Sequence, residues 1–294
     1  MPPRDEGSSP GTKPPWLRVS LPHGSTYQKI RDLVQGKKLN TVCDKARCPN
    51  ICECWSKGTA TFIIQGEICT RNCRFCAVQT GRPESPDMEE PLRVAEAVHE
   101  LGLKHAVITS VTRDDLADGG AAFFAGTIQE IRRLAPSCTT EVLVPDFRGN
   151  KEALSLVLEA RPDVLTHNLE TVPRLYPEIR PQARYHQSLE LLARAGAFGN
   201  KMLTKSSLML GMGESPDEIR SVMEDLIKTG CRILTLGQYL CPGKEHYPVA
   251  RYIPPERFRQ LKREALDMGF LKVEAGPLVR SSYRAEEIFY DTGE

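Results

Sequence analysis

Short apolar runs alternate with segments of helical period along most of this chain, and that alternation narrows the possible folds more than any other feature. The runs are TATFIIQG (59–66), HAVITSV (105–111), TEVLVP (140–145), DVLTHNL (163–169), SSLMLG (206–211) and RILTLGQYL (232–240). Each is rich in β-branched and aliphatic residues and too short for a buried helix, as expected of parallel strands covered on both faces. Between them, 90–102 puts Val94, Val98 and Leu101 on one helical face and closes on Gly102. Residues 121–135 repeat the pattern with Phe124, Ile128, Ile131 and Leu134. At 215–230, Ser215 is placed as N-cap, Pro216 at the first helical position and Gly230 past the end; 254–269 follows the same rules. Six β–α units in succession predict a parallel sheet with right-handed crossovers. Six are too few to close an eight-stranded barrel, so an α/β partial barrel is expected, with a flat doubly wound sheet as the alternative. Ligands then belong at the C-terminal ends of the strands.

Two cysteine-rich stretches lie beside the first run. CTRNCRFCAV (69–78) holds Cys69, Cys73 and Cys76, with gaps of three and two. CDKARCPNICECW (43–55) holds Cys43, Cys48 and Cys54, with gaps of four and five, and Cys52 inside the second gap. Soft thiolates select zinc, copper(I) or iron–sulfur clusters. Two C-x-x-C pairs would point to structural zinc, but neither stretch has them. Three ligands leave one corner of a cubane open, and an open position on a catalytic metal is where substrate binds. The Cys69 loop follows the first strand, which puts it at the mouth of the barrel.

Charge and composition exclude several classes. The formal net charge of +1 gives no basic field for nucleic acid. No apolar run is long enough to span a membrane. The opening MPPRDEGSSPGTKPPW has no apolar segment of the signal-peptide kind, and its acids argue against a transit peptide. A soluble, cytoplasmic chain with reduced thiols is expected. Residues 1–20 are read as a disordered lead-in, 21–58 as an N-terminal extension carrying the upstream cysteines, 59–270 as the partial β/α barrel and 271–294 as a C-terminal extension. The scattered histidines are read as structural.

A C-x-x-x-C-x-x-C loop after the first strand of a partial barrel resembles the radical S-adenosylmethionine (SAM) enzymes. In them three cysteines bind a [4Fe–4S] cluster and the amine and carboxylate of SAM chelate the fourth iron. Cys69, Cys73 and Cys76 match, and Phe75 sits where that family usually has an aromatic. The C-x4-C-x5-C motif is similar to that of the lipoyl synthase family. So are DDLADGGA (114–121), EVLVPDFRG (141–149), HNLETV (167–172), LMLGMGE (208–214), LGQYL (236–240) and GPLVRSSYRA (276–285). The resemblance runs from residue 43 to residue 285.

It implies a partial (β/α)6 barrel, two [4Fe–4S] clusters and SAM as co-substrate. The upstream cysteines would hold the auxiliary cluster, completed by a serine of R-S-S-Y, for which Ser282 is preferred to Ser281. The implied reaction is insertion of two sulfur atoms, from the auxiliary cluster, at C6 and C8 of an octanoyl group on a carrier lysine. Implied partners are the octanoylated carrier domains of 2-oxoacid dehydrogenase complexes, the glycine cleavage H protein, a ferredoxin or flavodoxin as low-potential donor, and iron–sulfur assembly proteins, with no nucleic acid or membrane. Asp118, Gly119 and Gly120 would meet the methionine part of SAM, the alternative being a plain helix-entry turn. Asn168 and Glu170 would contact its polar groups. Arg113, Arg148 and Lys205 are read as solvated charges, and Cys52 and Cys241 as bystanders. The competing functions are a different sulfur-inserting radical SAM enzyme, resembling biotin synthase, and a two-cluster electron carrier. The carrier's expected run is C-x2-C-x2-C-x3-C-P.

Overall fold

A computed structural model describes residues 13–19, 25–199 and 201–291. The strands in chain order are β1 (Asn40–Thr41), β2 (Thr61–Ile64), β3 (Ile68–Cys69), β4 (Gln79–Thr80), β5 (His105–Ser110), β6 (Thr139–Leu143), β7 (Val164–Thr166), β8 (Leu203–Leu210), β9 (Ile233–Gln238) and β10 (Lys272–Gly276). The main sheet runs β1-β2-β5-β6-β7-β8-β9-β10. All its pairings are parallel except β1 with β2.

The sheet curls into an open barrel. Asn50 lies just past β1 and Leu278 just past β10, the two ends of the sheet order, yet Asn50 Nδ2 donates to the Leu278 carbonyl at 2.6 Å. One cavity is lined from Ile63 on β2 through Thr109, Leu143 and Ser207 to Tyr239 just past β9, which only a concave sheet permits.

The barrel has seven parallel strands rather than the six expected. The seventh, β10, reads KVEAG and falls in what the sequence suggested was a C-terminal extension. Only Val273 of it is fully buried, so it carries no apolar run to betray it. The helices Lys151–Glu159 and Tyr185–Ala197 complete the outer layer together with the expected ones. Ser215 caps Pro216–Lys228 in a full capping box with Glu218.

The strands are buried, but not apolar on both faces. Phe62, Ile64, Ala106, Ile108, Val142, Leu165, Leu208, Leu210, Leu234 and Leu236 face outward into the helices. The inner positions include Glu141, Thr166 and Lys205. Lys205 is fully buried, not solvated as expected, because Glu141 meets its ammonium at 3.0 and 3.1 Å. Thr166 donates to the same carboxylate at 3.0 Å, and His105 Nε2 lies 3.5 Å away. Arg113 is also buried: it pairs with Asp115 and donates to the Gln65 and Glu84 carbonyls. Arg148 is exposed as expected.

Residues 1–12 and 20 of the lead-in lie outside the described residues. In 13–19, Pro15–Leu17 forms a 3-10 turn and the Leu17 side chain is buried. Among the described residues no helix is long and apolar enough to cross a membrane.

The Glu141–Lys205 pair generates a stability prediction. Burial alone would raise the Glu141 carboxyl; Lys205 and His105 outweigh it and hold it down at about 2. A depressed value means the pair's contribution is complete above about pH 4.5, the ordinary value, and is lost as pH falls toward about 2. Glu141→Gln leaves a buried ammonium unpaired and should cost on the order of 3–5 kcal/mol at neutral pH, read from urea unfolding. Adding Lys205→Met should recover part of that loss. An unchanged midpoint for Glu141→Gln would show that the pair contributes nothing.

Candidate active site: two cysteine sets at the barrel mouth

Beyond β2 the chain enters the cysteine loop, whose backbone is tied down throughout. β3 and β4 pair Cys69 with Thr80. Thr70 bonds Thr112 through its N–H and its hydroxyl, at 3.0 and 2.9 Å. Arg74 N–H donates to the Ile179 carbonyl, and His246 Nε2 sits 3.0 Å from the Cys76 carbonyl. Arg71 is buried between Asp114 and Asp146, with four contacts of 2.7–3.0 Å. The Cys69 sulfur accepts N–H bonds from Arg71 and Thr112, at 3.4 and 3.3 Å.

The upstream set is built on two short helices. Val42–Lys45 carries Cys43, with Thr41 as N-cap accepting from the Asp44 N–H. Ile51–Ser56 carries Cys54. Trp55 beside it is buried against Tyr27, ring centroids 5.2 Å apart. Cys48 N–H closes on the Cys43 carbonyl at 3.0 Å.

A cavity of about 600 Å³ joins these pieces. Cys69, Cys73 and Cys76 line it, as do Cys43, Cys48, Ser281 and Ser282. A smaller cavity of about 200 Å³ is lined by Cys43, Cys48, Cys54 and Ser282. Ser282 therefore borders both spaces and Ser281 only the larger. Neither serine caps the helix that follows, Ala285–Tyr290: its N-cap is Arg284, and no side chain caps it. Cys52 lines neither cavity. Cys241 lines the larger one, with its thiol donated to the Gly243 carbonyl at 3.0 Å.

The thiols fall into two electrostatic groups. Burial pushes Cys54 up to about 12, and Cys43 and Cys48 add to the rise. Burial pushes Cys76 to about 12 likewise, with Cys73 and Cys69 adding. Cys43 is raised to about 11 by burial and by Cys48. Three sulfurs that disfavour one another's charge are a donor set suited to a cationic core, which deprotonates the thiols it binds. Among the described residues no three such donors converge on one point as the ligands of a single ion do.

The cavity wall beside the cysteine loop is polar. Asn168 and Glu170 line it, as expected, with Asn168 Nδ2 donating to Glu170 at 3.1 Å. Glu170 stands at φ +66°, a region costly for a side chain of this kind. Burial raises its carboxyl, and Arg180 and Asn168 restrain the rise. Asn168 Oδ1 and Arg180 Nε are buried with no protein partner, which leaves one acceptor and one donor toward a ligand. Phe75, Leu143, Met209 and Tyr239 supply apolar wall. Arg71, His167 and Arg280, each inside a motif quoted above but given no role there, line the space too, as does Arg180, which lies in none of those motifs.

Asp118, Gly119 and Gly120 are the residues expected at the methionine part of SAM. None lines the cavity. Asp118 accepts from the N–H groups of Gly120 and Ala122, both at 2.9 Å, and so starts the helix Ala121–Leu134. A Cβ on Gly120, at φ +87°, would fall 1.8 Å from Gln65 Oε1. The glycines permit a close approach of Gln65 and Phe147. The segment is a helix-entry turn.

Comparison with known proteins agrees with this geometry. The radical SAM superfamily matches over residues 63–226, and the N-terminal domain of lipoyl synthase of the radical SAM family over 3–48. Lipoyl synthase of Rubrobacter xylanophilus is 55% identical over 275 residues, spanning 94% of this chain and 86% of that protein. That of Phocaeicola vulgatus is 52% identical, spanning 94% and 96%. Among solved structures, Streptococcus suis SuiB bound to precursor peptide SuiA has a TM-score of 0.58 at 12% identity, over 76% of this chain and 50% of that one. Methylornithine synthase (PylB) gives 0.55 at 12%, over 85% and 75%. At such identities the structures bear on the fold alone, and they share its open barrel. The sequence relatives carry more: this chain belongs to the lipoyl synthase family of the radical SAM superfamily.

Proposed function

We propose that Cys69, Cys73 and Cys76 hold the SAM-binding [4Fe–4S] cluster, and that Cys43, Cys48, Cys54 and Ser282 hold an auxiliary one. The chain then inserts sulfur at C6 and C8 of an octanoyl group on a carrier lysine. The observation that carries this reading is one 600 Å³ cavity walled by Cys69, Cys73 and Cys76 and by Cys43, Cys48 and Ser282 of the other set, with Cys54 on the smaller cavity that Cys43, Cys48 and Ser282 also border. One space next to both is what a reaction needs if it generates a radical at one centre and takes sulfur from the other. When bound, the first cluster and SAM supply an adenosyl radical that takes hydrogen from an unactivated carbon, and the auxiliary cluster supplies sulfide.

The chain's own residues position, orient and exclude water. The unpartnered Asn168 Oδ1 and Arg180 Nε, with Glu170, offer complementary contacts to a ligand that carries both ammonium and carboxylate. Phe75, Leu143 and Met209 give an alkyl chain an apolar path between the two cysteine sets. The octanoyl group arrives on carrier domains of 2-oxoacid dehydrogenase complexes or on the glycine cleavage H protein. Electrons come from a ferredoxin or flavodoxin, assembly proteins supply the clusters, and the setting is the cytoplasm. A two-cluster electron carrier has no use for a cavity of this size, which favours the sulfur-inserting reading.

Two measurements test this. Anaerobic reconstitution should approach about eight irons per chain, four at each cysteine set. A Cys69→Ala, Cys73→Ala, Cys76→Ala variant should keep about half. Loss of all iron, or of none, would defeat the two-site assignment. In the second, a Cys43→Ala, Cys48→Ala, Cys54→Ala variant should still cleave SAM under reducing conditions but add no sulfur to an octanoyl-lysyl peptide. Mass spectrometry of the peptide decides, and a thiolated product from that variant would remove the auxiliary set as donor.

A further inference from the structure

The segment that carries Ser282 is fastened to the upstream cysteines through Glu53, which Tyr283 hydrogen-bonds and Arg284 approaches at 3.9 Å. The Tyr283 hydroxyl donates to both carboxylate oxygens of Glu53, at 3.1 and 3.2 Å, across 230 residues of sequence. Glu53 directly precedes Cys54, and Tyr283 directly follows Ser282. The hydrogen bond therefore joins the immediate chain neighbours of a thiol and a hydroxyl that line the same cavity. Lys57 holds the Glu53 carboxylate from the other side at 2.9 Å, and the Arg284 guanidinium lies over the Tyr283 ring at 5.2 Å.

The rest of the C-terminal segment is anchored on either side of this point. Upstream, Asn50 holds the Leu278 carbonyl. Downstream, Phe289 stacks on His105 with centroids 5.3 Å apart, and the Tyr290 hydroxyl donates to the Lys104 carbonyl at 3.0 Å. Between these anchors, Arg284 takes φ +52°, a left-handed turn in a residue that does not favour it. The chain between Leu278 and Phe289 is thus held at its ends; within it, backbone bonds from Tyr283 to Arg280 and from Ala285 to Ser282 shape the turn, and Tyr283 to Glu53 ties that turn to the upstream cysteine helix.

We propose that Tyr283 and Glu53 are positioning residues that hold the Ser282 hydroxyl on the auxiliary cysteine set. This rests on the reading of that set as a cluster site. Oxygen is a poorer ligand than thiolate for such iron, so its occupancy depends on how firmly the turn is held.

The test uses the full chain with Cys69→Ala, Cys73→Ala and Cys76→Ala, reconstituted anaerobically, so that only the auxiliary site contributes iron. Adding Tyr283→Phe should let a chelator take one iron about tenfold faster, the effect of losing one hydrogen bond to a charged carboxylate. After one-electron oxidation with ferricyanide, the cluster left behind should give the electron-paramagnetic signal of an oxidised three-iron core. Ser282→Ala should give the same product, and the two changes together should be no faster than Ser282→Ala alone. A purely structural role for Tyr283 would release all four irons together, and that outcome overturns the proposal. So does a release rate equal to that of the background. A background that binds no iron removes the auxiliary cluster itself, and the proposal with it; the preceding outcomes remove the positioning role alone.

Discussion

Arg71 is the interaction on which the site depends. It lies between Cys69 and Cys73, and its guanidinium spans Asp114 beyond β5 and Asp146 beyond β6. The Asp146 side chain is fully buried. Burial would raise its carboxyl, but Arg71 holds it down at about 2. Neither partner is tolerable there alone: an unpaired buried charge costs several kcal/mol, on the order of 3–5. A lysine would supply charge without the planar fork that meets two carboxylates at once. Because the bonds run to two different strands, the cysteine loop inherits the rigidity of the sheet. A loop of its length has no such rigidity of its own.

The barrel pays for a reactive interior with an unusual division of its strands. The outer face is aliphatic and packs into the helices, so folding is driven from outside the ring of strands. The inner face is free to be polar. Near the base, Glu141, Lys205 and Thr166 satisfy one another across three adjacent strands. Near the mouth, Asn168 and Arg180 keep unmatched groups. Unpartnered buried atoms also occur in the scaffold, His105 Nε2 and Thr235 Oγ1 among them, so it is the place of Asn168 and Arg180 on the cavity wall that marks them for ligand contact.

The fold and the cysteine sets were legible because both are local. Short aliphatic runs, a capping box at Ser215 and thiols a few positions apart are written in neighbouring residues. What failed was what tertiary contact decides. Lys205 and Arg113 look like surface charges in the sequence, since their partners Glu141, Gln65 and Glu84 lie far along the chain or show nothing of their role. The glycines 119 and 120 were correctly read as allowing a close approach, but sequence could not say to what. β10 went unseen because an edge strand buried on one side needs few apolar residues. The link of Ser282 to cysteines more than 200 residues away came from family resemblance, as no spacing rule reaches that far.

The two cysteine sets differ in how they come to exist. Cys69, Cys73 and Cys76 are neighbours in any conformation of the chain, and folding only orients them. The set proposed for the auxiliary cluster joins Ser282 to residues 43–54, and the contact that closes this gap, Asn50 to Leu278, is the same one that brings the two ends of the sheet together. Closing a loop of 228 residues costs only a little more than closing one of half that length, because the entropy grows with the logarithm. The expense lies instead in forming the strands between, which must all be in place before the ends can meet. The same contact thus serves both the curl of the sheet and the approach of Ser282 to the upstream cysteines. The antiparallel β1 helps it happen, since by pairing with β2 it lays the upstream cysteines along one edge of the barrel, where β10 and the segment after it arrive from the other.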